Sequence, residues 1–129
     1  MELFTQRLIL RPWKLSDAEH LYQYAKNPKI GPAAGWPVHT STENSREIIQ
    51  TVFAQEETYA VCLKTDHAAI GCAAISIGSQ SNLNLPDDEG ELGYWIGAPF
   101  WGQGLIPDAC IELIRRSFED LKFKRLWCG

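Results

Sequence analysis

A chain of 129 residues suffices for one domain that buries roughly two-thirds of its unfolded surface, and 45% hydrophobic with 22% charged residues is ordinary globular composition. The net charge of -4 argues against sequence-independent nucleic-acid binding, and no apolar run reaches the ~18 residues that a membrane span needs. Cys62, Cys72, Cys110 and Cys128 form no C-x-x-C pair and no histidine stands at ligand spacing, so no metal is expected. With no basic, apolar leader at Met1, the expectation is a cytoplasmic protein with reduced thiols.

Thr5 to Trp13 alternates as a first strand, with Leu8 and Leu10 on one face and Arg7, Ile9 and Arg11 on the other; Pro12 ends it. Ser16 and Glu19 have the spacing of a capping box, so a helix is expected from there until Asn27-Pro28 stops it. Lys29 to His39 carries too many glycines and prolines for regular structure and reads as a loop. Ser41 or Thr42 caps a second helix whose buried face is Ile48, Ile49, Val52 and Phe53.

Thr58 to Leu63 and Ala68 to Ile77 are β-like runs joined by a polar four-residue connection, which predicts a hairpin. Gly71 inside the second run marks a bulge or the close approach of another backbone. Gly78 to Glu89 is a polar loop of the length that tends to carry function. Leu92 to Ile96 is a fourth strand, Ile106 to Leu121 recurs at helical spacing, and Lys124 to Cys128 begins a fifth strand.

Between the fourth strand and the last helix lies a turn built from Gly97, Pro99, Gly102 and Gly104. Strand, glycine loop and helix start together suit a phosphate, because glycines let the backbone approach and the first helical turn offers unpaired N–H groups. Counted from Gly97, a P-loop would need Lys and a hydroxyl after Gly102, where Gln103 and Gly104 stand instead. A dinucleotide fingerprint from Gly102 and Gly104 lacks its third glycine, since Pro107 and Asp108 occupy that position.

The run Glu91-Leu92-Gly93-Tyr94-Trp95-Ile96, then Trp101-Gly102-Gln103-Gly104-Leu105, with Asp108-Ala109 after it, resembles the acyl-CoA loop of the GNAT acetyltransferases, in the RimJ/RimL-like branch. Trp101 takes the place of the family's usual Gln or Arg, Ile106 that of a small residue and Asp108 that of a common Glu. The opening Thr5-Gln6-Arg7-Leu8, with Leu10-Arg11-Pro12-Trp13 and Ser16-Asp17-Ala18, resembles the same branch independently.

The resemblance implies an α/β (α+β) fold: a mixed, mostly antiparallel sheet flanked by helices, the fourth and fifth strands parallel across the last helix. It covers nearly all of residues 1–129, read as one domain, but the family domain continues beyond the fifth strand. The chain is therefore expected to be a fragment, or to complete its sheet from a partner, with a homodimer left open.

For function the resemblance implies acetyl transfer from acetyl-CoA to a primary amine, on a protein N-terminus or a small molecule, by direct attack in a ternary complex. Main-chain N–H groups at Gln103, Gly104 and Leu105 would hold the diphosphate, Gly102 would let it approach, and Trp101 would lie beside it. The pantetheine arm would pair with the backbone of Tyr94 and Ile96, Glu91 would serve as base, and Trp36 and His39 would line the acceptor side. The general acid of the family lies beyond residue 129; Tyr59 and Tyr94 are read as structural. A non-catalytic acyl-CoA-binding or regulatory module is the alternative, and an aromatic interaction patch of Trp95, Phe100 and Trp101 a more remote one.

Overall fold

Thr5 turns the chain ahead of the first extended run. Its hydroxyl accepts the N–H groups of Arg7 (3.3 Å) and Leu8 (3.0 Å), a side-chain turn that competes with strand pairing, so the strand expected over Thr5 to Trp13 is shortened to β2 (Leu8–Pro12) and a further strand, β1 (Leu3–Phe4), pairs with it as a hairpin. The expected capping box of Ser16 and Glu19 also gives way. The carboxylate of Asp17 takes the Lys14 N–H at 2.8 Å and a two-pronged ion pair from Arg11 at 2.8 Å, which winds Leu15–Asp17 into a 3-10 turn ahead of α1 (Ala18–Ala25).

The computed structural model describes residues 2–27, 29, 38–55, 57–65, 67–81 and 83–128. Most of the loop expected over Lys29 to His39 lies outside these, Trp36 included. After it, Ser41 caps α2 (Thr42–Thr51) by accepting the Asn44 N–H at 3.0 Å. Ile49 is buried, but Val52, expected on the same face, follows the end of the helix and is 52% exposed.

The hairpin of β3 (Thr58–Leu63) and β4 (Ala69–Ile77) is as expected, and so is the irregularity near Gly71: the register shifts so that Cys62 faces Ala69 while Val61 faces Gly71. β5 (Glu89–Ile96) starts three residues before the expected Leu92, so Glu91 lies inside the strand. α3 (Leu105–Arg115) ends in a π-helical turn, Arg116–Asp120, and β6 (Arg125–Cys128) follows.

The described residues form a six-stranded sheet in the order β1-β2-β3-β4-β5-β6, antiparallel throughout except for the parallel pair β5 and β6 that α3 connects. One face packs on α3: Leu8, Leu10, Val61, Ile75, Leu92 and Ile96 meet Leu105, Ala109 and Leu113. Each fully buried leucine there contributes about 2 kcal/mol by leaving water. Against the other face sit α1 and α2, where Leu21, Ala25 and Ile49 pack with Trp13, Phe53 and Trp95. Of the face expected on this helix (Ile106, Ala109, Cys110, Leu113, Ile114, Ser117, Phe118 and Leu121), Ala109, Leu113 and Ser117 are buried, but Ile114 and Phe118 are exposed and Arg116 is buried instead, because the π-helical turn rotates the last residues and Arg116 reaches Glu57 just before β3.

Candidate acyl-CoA site

The site is organised by the end of β5. Glu89, Glu91, Gly93 and Trp95 alternate onto the α1 and α2 face, while Leu92, Tyr94 and Ile96 point to the α3 face. β6 pairs with Glu89 to Leu92 only, so among the described residues the outer edge of β5 lies open from Gly93 onward. The Gly97 N–H reaches back to Ile70 O on β4 at 2.7 Å, and the Ile96 carbonyl turns the other way to accept the Trp101 indole N–H at 2.9 Å. By strand alternation the main-chain groups of Tyr94 and Ile96 therefore face the open edge. Tyr94 is 47% exposed and Ile96 is buried.

Beyond β5 a 3-10 turn, Ala98–Phe100, reverses the chain, supported by Tyr24, whose ring meets Phe100 edge-on at 5.8 Å. Gly102 (φ +78) and Gly104 (φ +73) both take the left-handed conformation that costs a side chain about 1–2 kcal/mol. A Cβ on Gly102 would meet nothing within 4 Å among the described residues, so the space in front of it is open.

Trp101, Gly102, Gln103 and Gly104 are all exposed, and α3 begins directly after them with Gly104 as its N-cap residue. Among the described residues no acceptor meets the N–H of Gly102, Gln103, Gly104, Leu105 or Ile106. Pro107 has no N–H to satisfy. Donors without an acceptor among the described residues, at the positive end of an 11-residue helix, suit an anion. The residues present thus fit a diphosphate, and the loop is not closed by its own side chains.

The loop carbonyls face the opposite way. Arg7 donates from Nη1 to Gln103 O and from Nη2 to Gly104 O, each at 2.9 Å, across 96 and 97 residues of sequence. Its Nε lies 3.6 Å from Asp108, which also accepts the Thr5 hydroxyl at 3.1 Å.

Glu91 stands near the other end of the open edge, five residues before Ile96 or about 16 Å at strand rise. It is half-buried, and its Oε1 accepts the hydroxyl of Ser81 at 2.8 Å; that serine is 5% exposed and takes the Leu83 N–H at 3.0 Å. Ser81 therefore holds the Glu91 carboxylate from the Gly78 to Glu89 loop. Glu89, two residues earlier, accepts the indole N–H of Trp127 at 2.8 Å, which separates its role from that of Glu91. Between Glu91 and Trp95, a Cβ on Gly93 would meet nothing within 4 Å among the described residues.

His39 is placed inside, 7% exposed, with Nδ1 2.8 Å from Ser45 Oγ and its N–H on Ala25 O at 3.1 Å. Burial lowers its pKa and favours the neutral ring, so it joins α1 to α2 and offers little surface to an acceptor. The Tyr59 hydroxyl donates to Glu57, which fits its structural reading. Burial, then its hydrogen bond to Glu57 at 2.6 Å, pushes its pKa well above the ordinary phenol value. The Cys72 thiol is pushed up to about 12 by burial and is inert. Sequence reasoning gave no role to Arg7 or Ser81; each meets a partner, Gln103 and Gly104 for Arg7 and Glu91 for Ser81, that only the fold brings near.

Residues 7–129 match the family model of the acetyltransferase (GNAT) domain. The chain belongs to the GNAT acetyltransferase family. It is similar to a Bacillus licheniformis protein described as "Uncharacterized N-acetyltransferase p20", 28% identical over an alignment of 129 positions that covers 96% of this chain and 70% of the relative. Among solved structures, a GNAT-family acetyltransferase from Bacillus anthracis superposes with a TM-score of 0.85 at 16% identity, over 99% of this chain and 72% of that one, which speaks to the fold. A putative ribosomal-protein-serine acetyltransferase from Vibrio cholerae superposes with a TM-score of 0.76 at 28% identity, over 98% of this chain and 71% of that one. As a GNAT domain the chain is an acetyl-CoA-dependent N-acetyltransferase, with acetyl-CoA as the family's co-substrate. The mixed, mostly antiparallel sheet flanked by helices that the resemblance implies is the fold observed, with six strands where the sequence suggested five.

Proposed function

We propose that this GNAT domain transfers the acetyl group of acetyl-CoA to a primary amine, on a protein N-terminus or a small amine, by direct attack in a ternary complex. One observation carries the reading: a glycine loop whose N–H groups meet no acceptor among the described residues, at the start of α3, directly after the end of a strand that leads back to a carboxylate. In this reading the N–H groups of Gln103, Gly104 and Leu105 hold the diphosphate of CoA, and Gly102 leaves room for it. The Trp101 ring, tied to Ile96 O, walls the diphosphate end.

The backbone of Tyr94 and Ile96 pairs with the pantetheine amides as an added strand would. A main-chain N–H on that edge polarises the thioester carbonyl, a donor worth about 3 kcal/mol where such holes have been tested. An alkyl ammonium has a pKa of ~10.4, so a base must take its proton before attack at neutral pH. Glu91, oriented by Ser81, takes that proton directly or through a water. The amine lone pair then attacks the carbonyl carbon, a C–N bond forms, the C–S bond breaks, and the proton that the new amide nitrogen sheds balances the departing thiolate as a thiol.

Likeness to a neighbour named as a putative ribosomal-protein-serine acetyltransferase supports a protein as acceptor. Trp36 is assigned to the acceptor side on the strength of the family resemblance. The test is a thiol-release assay with acetyl-CoA against peptides with free N-termini and a panel of small amines. Turnover with any of them supports the enzyme; CoA binding without turnover on any acceptor favours a binding module.

A further inference from the structure

We infer that Arg7 is the positioning residue of the diphosphate loop: its guanidinium fastens the carbonyls of Gln103 and Gly104 behind the loop and offsets the charge of Asp108, so that the loop's N–H groups face an anion. The inference rests on the proposed reading of the loop as the diphosphate site.

Three observations lead to it. First, both prongs of the guanidinium are used on consecutive carbonyls, at 2.9 Å each. A peptide plane that directs its C=O to one side directs its N–H to the other, so fixing the carbonyls of 103 and 104 fixes the N–H groups of 104 and 105 in the opposite direction. Second, Asp108 lies in the first turn of α3. A carboxylate there favours the helix but repels an anion bound at the same terminus, and the Arg7 Nε at 3.6 Å is its counter-charge. Third, Thr5 ties the arrangement to the sheet, its hydroxyl on Asp108 and its oxygen on the Arg7 and Leu8 amides.

Exposure argues that this cluster is not there for stability. The Arg7 side chain is 48% exposed and that of Asp108 26%, a regime in which ion pairs contribute little to folding. Its geometry, with the fork on loop carbonyls and on the one acidic residue of the first turn, concerns the loop. Lysine could replace the charge but not bond both carbonyls in one plane.

The test compares wild type, Arg7→Met, Arg7→Lys, Asp108→Asn and the double variant Arg7→Met with Asp108→Asn, each shown to be folded by circular dichroism. CoA affinity is read by calorimetry, and turnover with acetyl-CoA and with acetyl-pantetheine, which lacks the diphosphate. Expected are a rise of tenfold or more in the CoA Kd for Arg7→Met, a smaller rise for Arg7→Lys, and partial recovery in the double variant, because the unpaired carboxylate has gone. The acetyl-CoA KM rises while kcat at saturation stays within about twofold, and kcat/KM for acetyl-pantetheine is unchanged. The inference is overturned if Arg7→Met binds CoA within twofold of a wild type that binds it well, or if the loss is equal with acetyl-pantetheine and Asp108→Asn restores nothing. A wild type that binds no CoA overturns the reading of the loop itself.

Discussion

Gly71 and Gly93 lie on adjacent strands of the same sheet, and substituting each with alanine separates close packing from mere strand propensity. A Cβ at position 71 would stand 2.4 Å from Trp95 O and 3.0 Å from Ile96 Cα, both main-chain atoms of β5. Ordinary contact begins near 3.4 Å, so the end of β5 must retreat by about 1 Å or Gly71 must twist out of its pairing with Ile96. Neither is cheap, because Gly97 N–H is bonded to Ile70 O at 2.7 Å beside it. Forced overpacking of this kind costs about 1–3 kcal/mol. For a domain of this size that is about 3–5 °C in Tm per kcal/mol, so Gly71→Ala is expected to melt about 5–10 °C below wild type. Gly93→Ala, with nothing within 4 Å of its Cβ, is expected within about 2 °C of wild type. The assay is thermal unfolding followed by circular dichroism. Because the displaced segment is the open edge at Ile96, Gly71→Ala also raises the acetyl-CoA KM. Equal melting temperatures for Gly71→Ala and wild type would refute the steric argument.

Two further outcomes concern charge. Glu57 and Arg116 form an ion pair with both side chains 9% exposed, Arg116 Nη2 lying 2.8 Å from Oε2, and Tyr59 donates to the same carboxylate at 2.6 Å. Burial raises the Glu57 pKa, but the Arg116 and Tyr59 hydrogen bonds outweigh it and hold the carboxyl below its ordinary value. A depressed folded pKa means that the contribution is complete above the unfolded value of about 4.3 and is lost as pH falls through the lower, folded value. Glu57→Gln should therefore cost about 3 kcal/mol at pH 7, measured by urea unfolding, and show a shallower loss of stability in acid than wild type; a parallel acid profile would remove Glu57 from that account. At the site, Glu91→Gln should lower kcat by 100-fold or more, the range of a lost general base, while CoA affinity stays as in wild type; undiminished turnover would dismiss Glu91 from the chemistry.

The strand-loop-helix was legible because its signals are local. Glycines at 102 and 104 are there for a left-handed backbone, and aromatic and branched residues before them mark a strand, so a run of adjacent residues spells out the turn. The Ser41 cap and the β3–β4 hairpin were legible for the same reason. What failed was decided by partners distant in sequence or by side chains with two uses. Asp17, held by Arg11, took the place of the expected Ser16 and Glu19 box, Thr5 shortened the first strand with a turn, and Arg116 drew the end of α3 into a π-helical turn toward Glu57, 59 residues away. Arg7 and Ser81 left no periodic mark either. An arginine on a strand and a serine in a polar loop are commonplace until the fold sets them on Gln103 and Glu91.

The central claim is that unpaired amides at the start of α3 grip the diphosphate of CoA. Calorimetric titration of CoA into wild type and into Gly104→Asp tests it most directly, since the variant puts a side chain and a negative charge where the ligand's own charge would lie. The account predicts saturable binding by wild type and none measurable by the folded variant. Equal affinity in the two would contradict it.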